Sequence, residues 1–345
     1  MAGSGTAHLR PESDALLRVE RLVVEFPAGK GRKVHAVSDI SLDVIEGETL
    51  GLVGESGCGK STTGKAILQL PRPTSGKVLF EGRDLTKIGG SELRELRPRL
   101  QMIFQDPISS LNPRRRVCDI VAEPLVIAGQ KEGADAKVAE MLEAVGLDPA
   151  AADRRRHQFS GGQCQRISIA RALMLRPKVL ICDEPVSALD VSVQAQILNL
   201  LEDLKERYKL TMVFIAHDLA VVKNVSDRVA VMYLGKLCEV APADELYRSP
   251  RHPYTAALLA SIPLPDPDAQ PIARSGIGAQ ALRGELPSPL APPSGCRFRT
   301  RCPRAEERCA DEEPQVAALG DGHFVACHFP LDAPVAVAVP SAVTR

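Results

Sequence analysis

The chain has 345 residues, of which 44% are hydrophobic and 25% charged, a composition that is typical of folded proteins and excludes a disordered or fibrous chain. Its 43 basic residues balance its 43 acidic residues, so no excess positive charge draws it to a phosphate backbone, and we expect no nucleic-acid partner. It has no apolar run of about 18 residues and no basic segment followed by an apolar stretch at its start, so we expect neither a membrane span nor a secretory signal.

Before Pro250, short apolar runs alternate with longer segments of helical periodicity, which predicts an α/β fold. Helices are predicted over residues 134–145 and 193–208. Three runs, at residues 50–53, 179–182 and 212–216, are apolar on both faces, as strands buried in a parallel sheet are. Polar residues follow each run. Because ligands bind beyond the carboxyl ends of strands in open α/β sheets, we expect these polar residues to meet in one crevice.

A glycine-rich loop follows the first run and matches the pattern G-x-x-x-x-G-K-S/T in full. Its glycines let successive backbone N–H groups turn inward around an anion, and the following helix adds its positive N-terminal end. We expect Lys60 to reach the β- and γ-phosphates of a nucleotide and the Ser61 hydroxyl to bind Mg²⁺. The alternative is a glycine-rich turn with an exposed lysine. The predicted nucleotide-binding residues are Gly54, Glu55, Ser56, Gly57, Cys58, Gly59, Lys60, Ser61 and Thr62.

Two carboxylates and a histidine follow the other two runs. We expect Asp183 to hold Mg²⁺, directly or through water, and Glu184 to orient the attacking water or accept its proton. The alternative for this pair is a solvated acidic turn. His217 is a candidate for contacting the γ-phosphate or ordering the water, although a histidine at a strand end is often structural.

A second candidate anion site lies at residues 159–163, Phe-Ser-Gly-Gly-Gln. Apolar residues recur after it with helical spacing up to a break at Pro177, and the spacing of Ser160 and Gln163 is that of a capping box. Two glycines beside a helix N-terminus let a ligand approach bare backbone amides. As an isolated string, however, this segment could equally be only a helix cap.

The order of these motifs resembles that of the nucleotide-binding subunits of ATP-binding cassette (ABC) transporters over about residues 18 to 245. The matching features are the glycine-rich loop, Gln105 in residues 102–107, the 159–163 string, residues 180–185, residues 187–190 and His217. The resemblance implies a P-loop NTPase (RecA-like) core with a mostly parallel sheet. It also implies an antiparallel β subdomain and an inserted α-helical subdomain at about residues 107–176.

The resemblance also assigns roles to individual residues. Gln105 would sense the nucleotide, contribute to the Mg²⁺ site and link it to a membrane partner. The Ser160, Gly161, Gly162 and Gln163 segment would grip the γ-phosphate of ATP held on another subunit, and Asp190 would communicate across the dimer. Family members stack adenine on an aromatic residue before the loop. Phe26 is the candidate here and His35 the weaker one, with core packing as the alternative for Phe26.

The composition changes near Pro250, because 15 of the 27 prolines lie in the last 96 residues. Proline fixes φ and removes a hydrogen-bond donor, so we expect loops there and neither long helices nor central strands. Strings in this tail, at residues 249–255, 262–267, 295–298 and 301–303, are similar to those of the oligopeptide/dipeptide and nickel importer ATPases. Residues 109–114 and 183–190 resemble the F-type of their two paired ATPase subunits. Cys164 departs from the family pattern, which has arginine there.

Four of the nine cysteines also lie in the tail: Cys296, Cys302, Cys309 and Cys327. Their spacing is that of neither a standard structural zinc site nor a standard ferredoxin run. The resemblance implies an iron-sulfur cluster, of 4Fe-4S type, with a structural or redox-sensing role. Zinc, with help from His323 or His328, and unligated thiols remain the alternatives.

The resemblance implies an ATP-hydrolysing subunit, dependent on ATP and Mg²⁺, that powers peptide import across the cytoplasmic membrane; nickel or another small solute is the alternative cargo. Two cassettes would sandwich two ATP molecules. The expected partners are a paralogous D-type ATPase subunit, two transmembrane permeases and, indirectly, an extracytoplasmic binding protein. The chain would lie peripherally on the cytoplasmic face. A soluble cassette ATPase acting on ribosomes or DNA, and a P-loop kinase or GTPase, are the alternatives. The expected domains are residues 1–17, 18–249 and 250–345.

Overall fold

The computed structural model describes residues 4–262, 285–320 and 322–332. In this part of the chain the β-strands are, in order, β1 (Ala15–Pro27), β2 (Lys33–Ile45), β3 (Thr49–Val53), β4 (Ser75–Phe80), β5 (Arg83–Asp84), β6 (Leu100–Ile103), β7 (Val179–Asp183), β8 (Thr211–Ala216), β9 (Arg228–Tyr233), β10 (Lys236–Pro242), β11 (Ala317–Gly320) and β12 (His323–Val325). The α-helices are α1 (Lys60–Ile67), α2 (Gly90–Leu96), α3 (Pro107–Ser110), α4 (Val117–Ile127), α5 (Ala134–Ala144), α6 (Gly161–Leu173), α7 (Val191–Tyr208), α8 (Leu219–Val225), α9 (Ala243–Arg248), α10 (Pro253–Ala260) and α11 (Arg308–Asp311).

The described residues form two compact units. The first unit lies within Met1–Ile45, Thr49–Lys87 and Ala216–Arg345. The second unit lies within Glu46–Glu48 and Ile88–Ile215.

The first unit contains an antiparallel sheet in the strand order β2, β1, β4, β5. Along β1, buried apolar residues such as Leu17, Val19, Leu22 and Val24 line one face, and bulges adjust the register where their spacing changes. This sheet is the expected antiparallel β subdomain. In the same unit β11, β12, β10, β9 and β3 lie side by side, with β3 parallel to β9 and the other pairs antiparallel.

The second unit contains three mutually parallel strands, β6, β7 and β8, with β7 in the middle. Every residue of β7 and β8 is buried, as their apolar sequences predict for strands covered on both faces. All three predicted buried strands are confirmed, as β3, β7 and β8. The helices predicted over residues 134–145 and 193–208 are also confirmed, as α5 and α7. Helices α3 to α6 fall in the range expected for the inserted helical subdomain.

The tail after Pro250 is predicted to contain loops and no central strand, and the structure differs from this prediction. Strand β12, with only three residues, pairs with β10 on one side and β11 on the other, so the tail does supply an internal strand. It also buries Phe298 and most of α10. Proline content does not forbid this, because β11 and β12 contain no proline. The string at residues 263–267 lies outside the described residues.

No described helix combines the length and the apolar character that crossing a lipid bilayer requires.

Candidate functional site

The glycine-rich loop joins β3 to α1 in the first unit. Gly54, Gly57 and Gly59 all have positive φ, at 151°, 81° and 105°. A Cβ atom would lie 2.1 Å from the Met232 carbonyl oxygen at Gly54 and 2.2 Å from the Ala36 carbonyl oxygen at Gly59. All three positions favour glycine because of their positive φ. Gly54 and Gly59 also require it because a neighbouring backbone carbonyl leaves no room for a Cβ atom.

Lys60 opens α1 and is buried, with only 4% of its surface exposed. Its Nζ donates hydrogen bonds to the carbonyl oxygens of Gly54 (2.7 Å) and Glu55 (3.1 Å). The lysine thus lies over the loop instead of extending into solvent, which excludes the alternative of a turn with an exposed lysine. Cys58 is buried in the same loop, and burial raises the pKa of its thiol.

His217 follows the last residue of β8, is exposed, and belongs to the first unit together with the loop. The next residue, Asp218, caps α8 by accepting a hydrogen bond of 2.8 Å from the backbone N–H of Ala220. This cap fixes the chain immediately after the histidine.

The acidic pair lies at the carboxyl end of β7 in the second unit. Asp183 is 1% exposed and Glu184 8% exposed, so neither belongs to a solvated acidic turn. Glu184 has a φ of 46°, a left-handed conformation that costs a non-glycine residue on the order of 1–3 kcal/mol. Its backbone N–H donates to the Ile215 carbonyl oxygen at 2.9 Å, which holds the strained residue against the end of β8.

Gln105 follows β6, and its Nε2 donates a hydrogen bond of 2.9 Å to Oε2 of Glu184. The structure therefore brings together two of the residues predicted for the site. The relationship follows from topology, because β6 and β7 are parallel neighbours and both end at the same edge.

Ser160 caps α6 with the predicted capping box: its Oγ accepts from the Gln163 N–H at 3.3 Å, and Gln163 Oε1 accepts from the Ser160 N–H at 3.0 Å. A Cβ atom at Gly162 would lie 2.6 Å from Cγ1 of Val193. Asp190 caps the neighbouring helix α7 by accepting from the Val193 N–H at 2.9 Å. That bond lowers the pKa of the Asp190 carboxyl. Cys164 is buried within α6, which is continuous through this departure from the family pattern.

Phe26 lies near the end of β1 and is 38% exposed, so it is not a core residue. The weaker candidate for adenine stacking, His35, contacts the Glu25 carboxylate through Nδ1 at 2.9 Å.

The four tail cysteines line one small cavity in the first unit, together with His252, Phe298 and His328. All four are thiols that form no disulfide. Burial raises the pKa of Cys296 to about 11 and that of Cys327 to about 12. Within residues 4–262, 285–320 and 322–332, no group of three or more histidine, cysteine or acidic side chains is arranged to hold a metal ion.

His323 does not assist these cysteines. It is buried and bonds through Nε2 to Oε1 of Glu239 at 2.6 Å, and it does not line the cavity. His328 does line the cavity, and its Nε2 lies 3.1 Å from the Glu312 carbonyl oxygen.

Two residues outside the predicted set contact the glycine-rich loop. Tyr254 and Arg301, both from the tail, hold Glu55. Both lie in tail strings that resemble the importer ATPases, at residues 249–255 and 301–303. No pattern in those strings indicates their contact with Glu55, because they lie 199 and 246 residues along the chain from it.

Comparison with known proteins matches residues 37–187 to the ABC transporter family and residues 238–309 to the family described as oligopeptide/dipeptide transporter, C-terminal region. The chain is 52% identical to the putative oligopeptide transport ATP-binding protein YkfD of Bacillus subtilis, over 91% of this chain and 95% of that protein. It is 49% identical to the oligopeptide transport ATP-binding protein OppF of Haemophilus influenzae, over 91% of this chain and 97% of that protein.

Among solved structures, the chain is similar to cbiO1 from Clostridium perfringens, part of the ABC transporter complex cbiONQ, with a TM-score of 0.60 and 29% identity over 68% of this chain and 91% of that one. It is also similar to the ATP-binding cassette MJ0796 in a dimeric post-hydrolysis state with ADP and Pi, with a TM-score of 0.60 and 27% identity over 66% of this chain and 98% of that one. The chain therefore belongs to the ATPase subunits of ABC transporters, in the group that carries the oligopeptide/dipeptide transporter C-terminal region.

Proposed function

We propose that this chain hydrolyses ATP to power the import of peptides across the cytoplasmic membrane. The observation that carries the proposal is the succession of two family matches on one chain, a cassette at residues 37–187 and the oligopeptide/dipeptide transporter region at residues 238–309. Similarity over nine-tenths of the chain to proteins named for oligopeptide transport supports the same cargo. Neither match favours a soluble ATPase acting on ribosomes or DNA.

In this proposal the loop from Gly54 to Gly59 surrounds the phosphates with backbone N–H groups, and α1 adds its positive end. Lys60 exchanges its bonds to the loop carbonyls for bonds to the β- and γ-phosphates. Ser61, Asp183 and Gln105 offer oxygen donors, which is the ligand type that Mg²⁺ prefers. When bound, Mg²⁺ neutralises charge on the phosphates.

Glu184 is the proposed general base. Its burial and its bond to the Gln105 amide fix the position of the carboxylate, which would accept a proton from the attacking water. His217 would contact the γ-phosphate, and Phe26, which is 38% exposed, would stack on the adenine.

A single chain supplies only one face of each nucleotide site. The capped N-terminus of α6, with Ser160, Gly161, Gly162 and Gln163, would grip the γ-phosphate of ATP held by a second cassette, and Asp190 would communicate across that dimer. We propose that the second cassette is the paralogous D-type subunit. Two transmembrane permeases would bind the helical segment at residues 107–176, which places the chain peripherally on the cytoplasmic face. An extracytoplasmic peptide-binding protein would deliver the cargo.

For the four tail cysteines we propose a 4Fe-4S cluster. The support is that all four thiols line one cavity, although they are spread over 32 residues of sequence. If the cluster is bound, the thiolates of Cys296, Cys302, Cys309 and Cys327 would hold its irons.

A transport assay tests the proposal that this chain powers peptide import. The chain is co-expressed with its permeases and second ATPase, and the purified complex is reconstituted into proteoliposomes with a peptide-binding protein. We expect ATP-dependent uptake of labelled oligopeptides, and none in the Lys60→Ala variant. Uptake of Ni²⁺ but not of peptide, or sedimentation of the chain with ribosomes in place of permeases, would refute it.

The cluster is tested by anaerobic purification and by analysis for iron, sulfide and visible absorption. We expect about four irons per chain, lost on Cys309→Ser and retained on Cys118→Ser, a thiol outside the tail. Stoichiometric zinc, or no metal, would contradict the proposal.

A further inference from the structure

The C-terminal extension, residues 250–345, holds one residue of the glycine-rich loop from Gly54 to Gly59, which is the proposed phosphate loop. Arg301 Nη1 lies 2.6 Å from Glu55 Oε2, and Nη2 lies 3.0 Å from Oε1. The two parallel bonds form a bidentate pair, the strongest and most directional geometry available to an arginine and a carboxylate. The Arg301 side chain is 5% exposed and that of Glu55 28% exposed, so solvent screens this pair less than a surface ion pair.

The backbone of the same residue is held as well. The Glu55 N–H donates a hydrogen bond of 2.9 Å to the hydroxyl oxygen of Tyr254, which is fully buried. The Tyr254 ring packs against Phe298 at 5.2 Å and Tyr233 at 4.8 Å between centroids. The Arg301 guanidinium lies 5.8 Å from the centroid of Tyr233. The extension thus anchors both the carboxylate and the amide of Glu55 to one aromatic cluster.

Anchoring at this position matters because three of the six residues from Gly54 to Gly59 are glycines. Gly54 and Gly57 flank Glu55 closely, and Gly59 ends the loop. Glycine loses more conformational entropy on ordering than any other residue, and a ligand that orders a loop bears that cost in its affinity. A loop already fixed at Glu55 has fewer conformations to lose when it binds phosphate.

We propose that Arg301 is a positioning residue for ATP binding: through its bidentate bond to Glu55, the C-terminal extension holds the phosphate loop in its binding conformation. Arg301 does not touch the nucleotide. The inference rests on the proposed nucleotide site and adds to it a residue from the extension. Arg301 directly precedes Cys302, so the segment that presents the arginine also lines the cysteine cavity.

The experiment measures ATP binding and steady-state hydrolysis by the full chain in its purified transporter complex, with Mg²⁺ and ATP as the probe. For Arg301→Gln we expect the Kd and KM for ATP to rise about tenfold, equivalent to about 1.4 kcal/mol, while kcat changes by less than about twofold. Arg301→Lys keeps the charge but loses the fork, so it restores part of the affinity. Glu55→Gln should match Arg301→Gln, and the double variant should be no worse than either single one.

The matched control is Arg308→Gln, which breaks an exposed arginine–glutamate pair in the same extension and should leave Kd and KM unchanged. The inference is overturned if Arg301→Gln folds and keeps wild-type affinity, or if kcat falls while KM does not change. If Arg301→Gln does not fold, Glu55→Gln decides in the same way. Lys60→Ala separates failure of the proposed nucleotide site from failure of the role of Arg301. If both Lys60→Ala and Arg301→Gln bind ATP normally, the proposed site itself is wrong. If only Lys60→Ala loses binding, the site stands and only the role of Arg301 is refuted.

Discussion

The side-chain amide of Gln105 donates a hydrogen bond of 2.9 Å to the carboxylate of Glu184. Each residue follows a strand of the same parallel sheet, and the bond joins the ends of β6 and β7. Glu184 is further constrained by its left-handed φ and by its backbone bond to Ile215. Glu184 is thus a buried residue with a strained backbone, and its carboxylate accepts a hydrogen bond from a neighbouring side chain. This arrangement is expected of a general base whose orientation matters.

Replacing Glu184 with glutamine tests this role. The change keeps the shape of the side chain but removes the basic carboxylate, so we expect ATP binding to persist and turnover to fall about 10²- to 10⁴-fold. ATP-bound dimer of the two cassettes should accumulate, as measured by size-exclusion chromatography. Glu140→Gln, on an exposed part of the second unit, should hydrolyse ATP normally. Wild-type turnover in Glu184→Gln would refute the assignment.

Gly59→Ala tests the backbone of the phosphate loop. A Cβ there meets the Ala36 carbonyl oxygen at 2.2 Å, and the φ of 105° adds strain. We expect a loss of at least about 2 kcal/mol in the free energy of unfolding, together with loss of ATP binding. Gly57→Ala is the control, because its φ of 81° is strained but nothing lies within 4 Å of the added Cβ. Its stability loss should be smaller, about 1 kcal/mol, and equal losses in the two variants would contradict the close-approach argument.

Ser160→Ala tests whether the α6 cap serves a second cassette. Removing the cap should cost about 1 kcal/mol of stability, while ATP binding by the chain itself is retained. The ATP-dependent dimer and turnover should both be lost, as measured by light scattering and phosphate release. Asp148→Ala removes another side-chain cap in the second unit and should leave dimerisation intact. If the two variants behave alike, Ser160 has only a capping role.

Lys236, at the start of β10, forms an ion pair of 2.8 Å with Glu313 of the C-terminal extension. Removing this pair tests how much it contributes to holding the extension against β10. The Lys236 side chain is fully buried, and burial lowers its pKa although Glu313 opposes the shift. Lys236→Met should destabilise the protein by about 3 kcal/mol, because a largely buried carboxylate loses its main partner. Adding Glu313→Gln should recover part of that loss in thermal unfolding, and a double variant less stable than the single one would contradict this reasoning.

Much of this fold could be predicted from the sequence where the signal is local. Buried runs such as that of β7 are apolar on both faces, and the cap of α6 is formed by the four consecutive residues from Ser160 to Gln163. Strand β12 gave no such signal, because it has only three residues and one of its partners, β10, lies far from it along the chain. Its partner β11 is exposed along its whole length and carries no alternation to detect.

The residues of the candidate site likewise divide into those that local motifs predict and those that only the three-dimensional structure reveals. Motif spacing predicted Lys60, Asp183, Glu184 and Ser160, since their chemistry lies next to a strand or helix end. The bond from Gln105 to Glu184 required the strand pairing, and the bond from Arg301 to Glu55 spans 246 residues. Contacts of that kind are set by tertiary packing, which periodicity along the chain does not encode.

The most direct test of the account is a map of the Glu184→Gln complex with its second cassette, solved with Mg²⁺ and ATP. We predict that the triphosphate bound to Lys60 and Ser61 of this chain contacts the serine–glycine–glycine segment of the neighbouring cassette, and that Ser160 and Gly162 of this chain contact the other ATP. A triphosphate bound away from Lys60, or enclosed entirely by one chain, would contradict it.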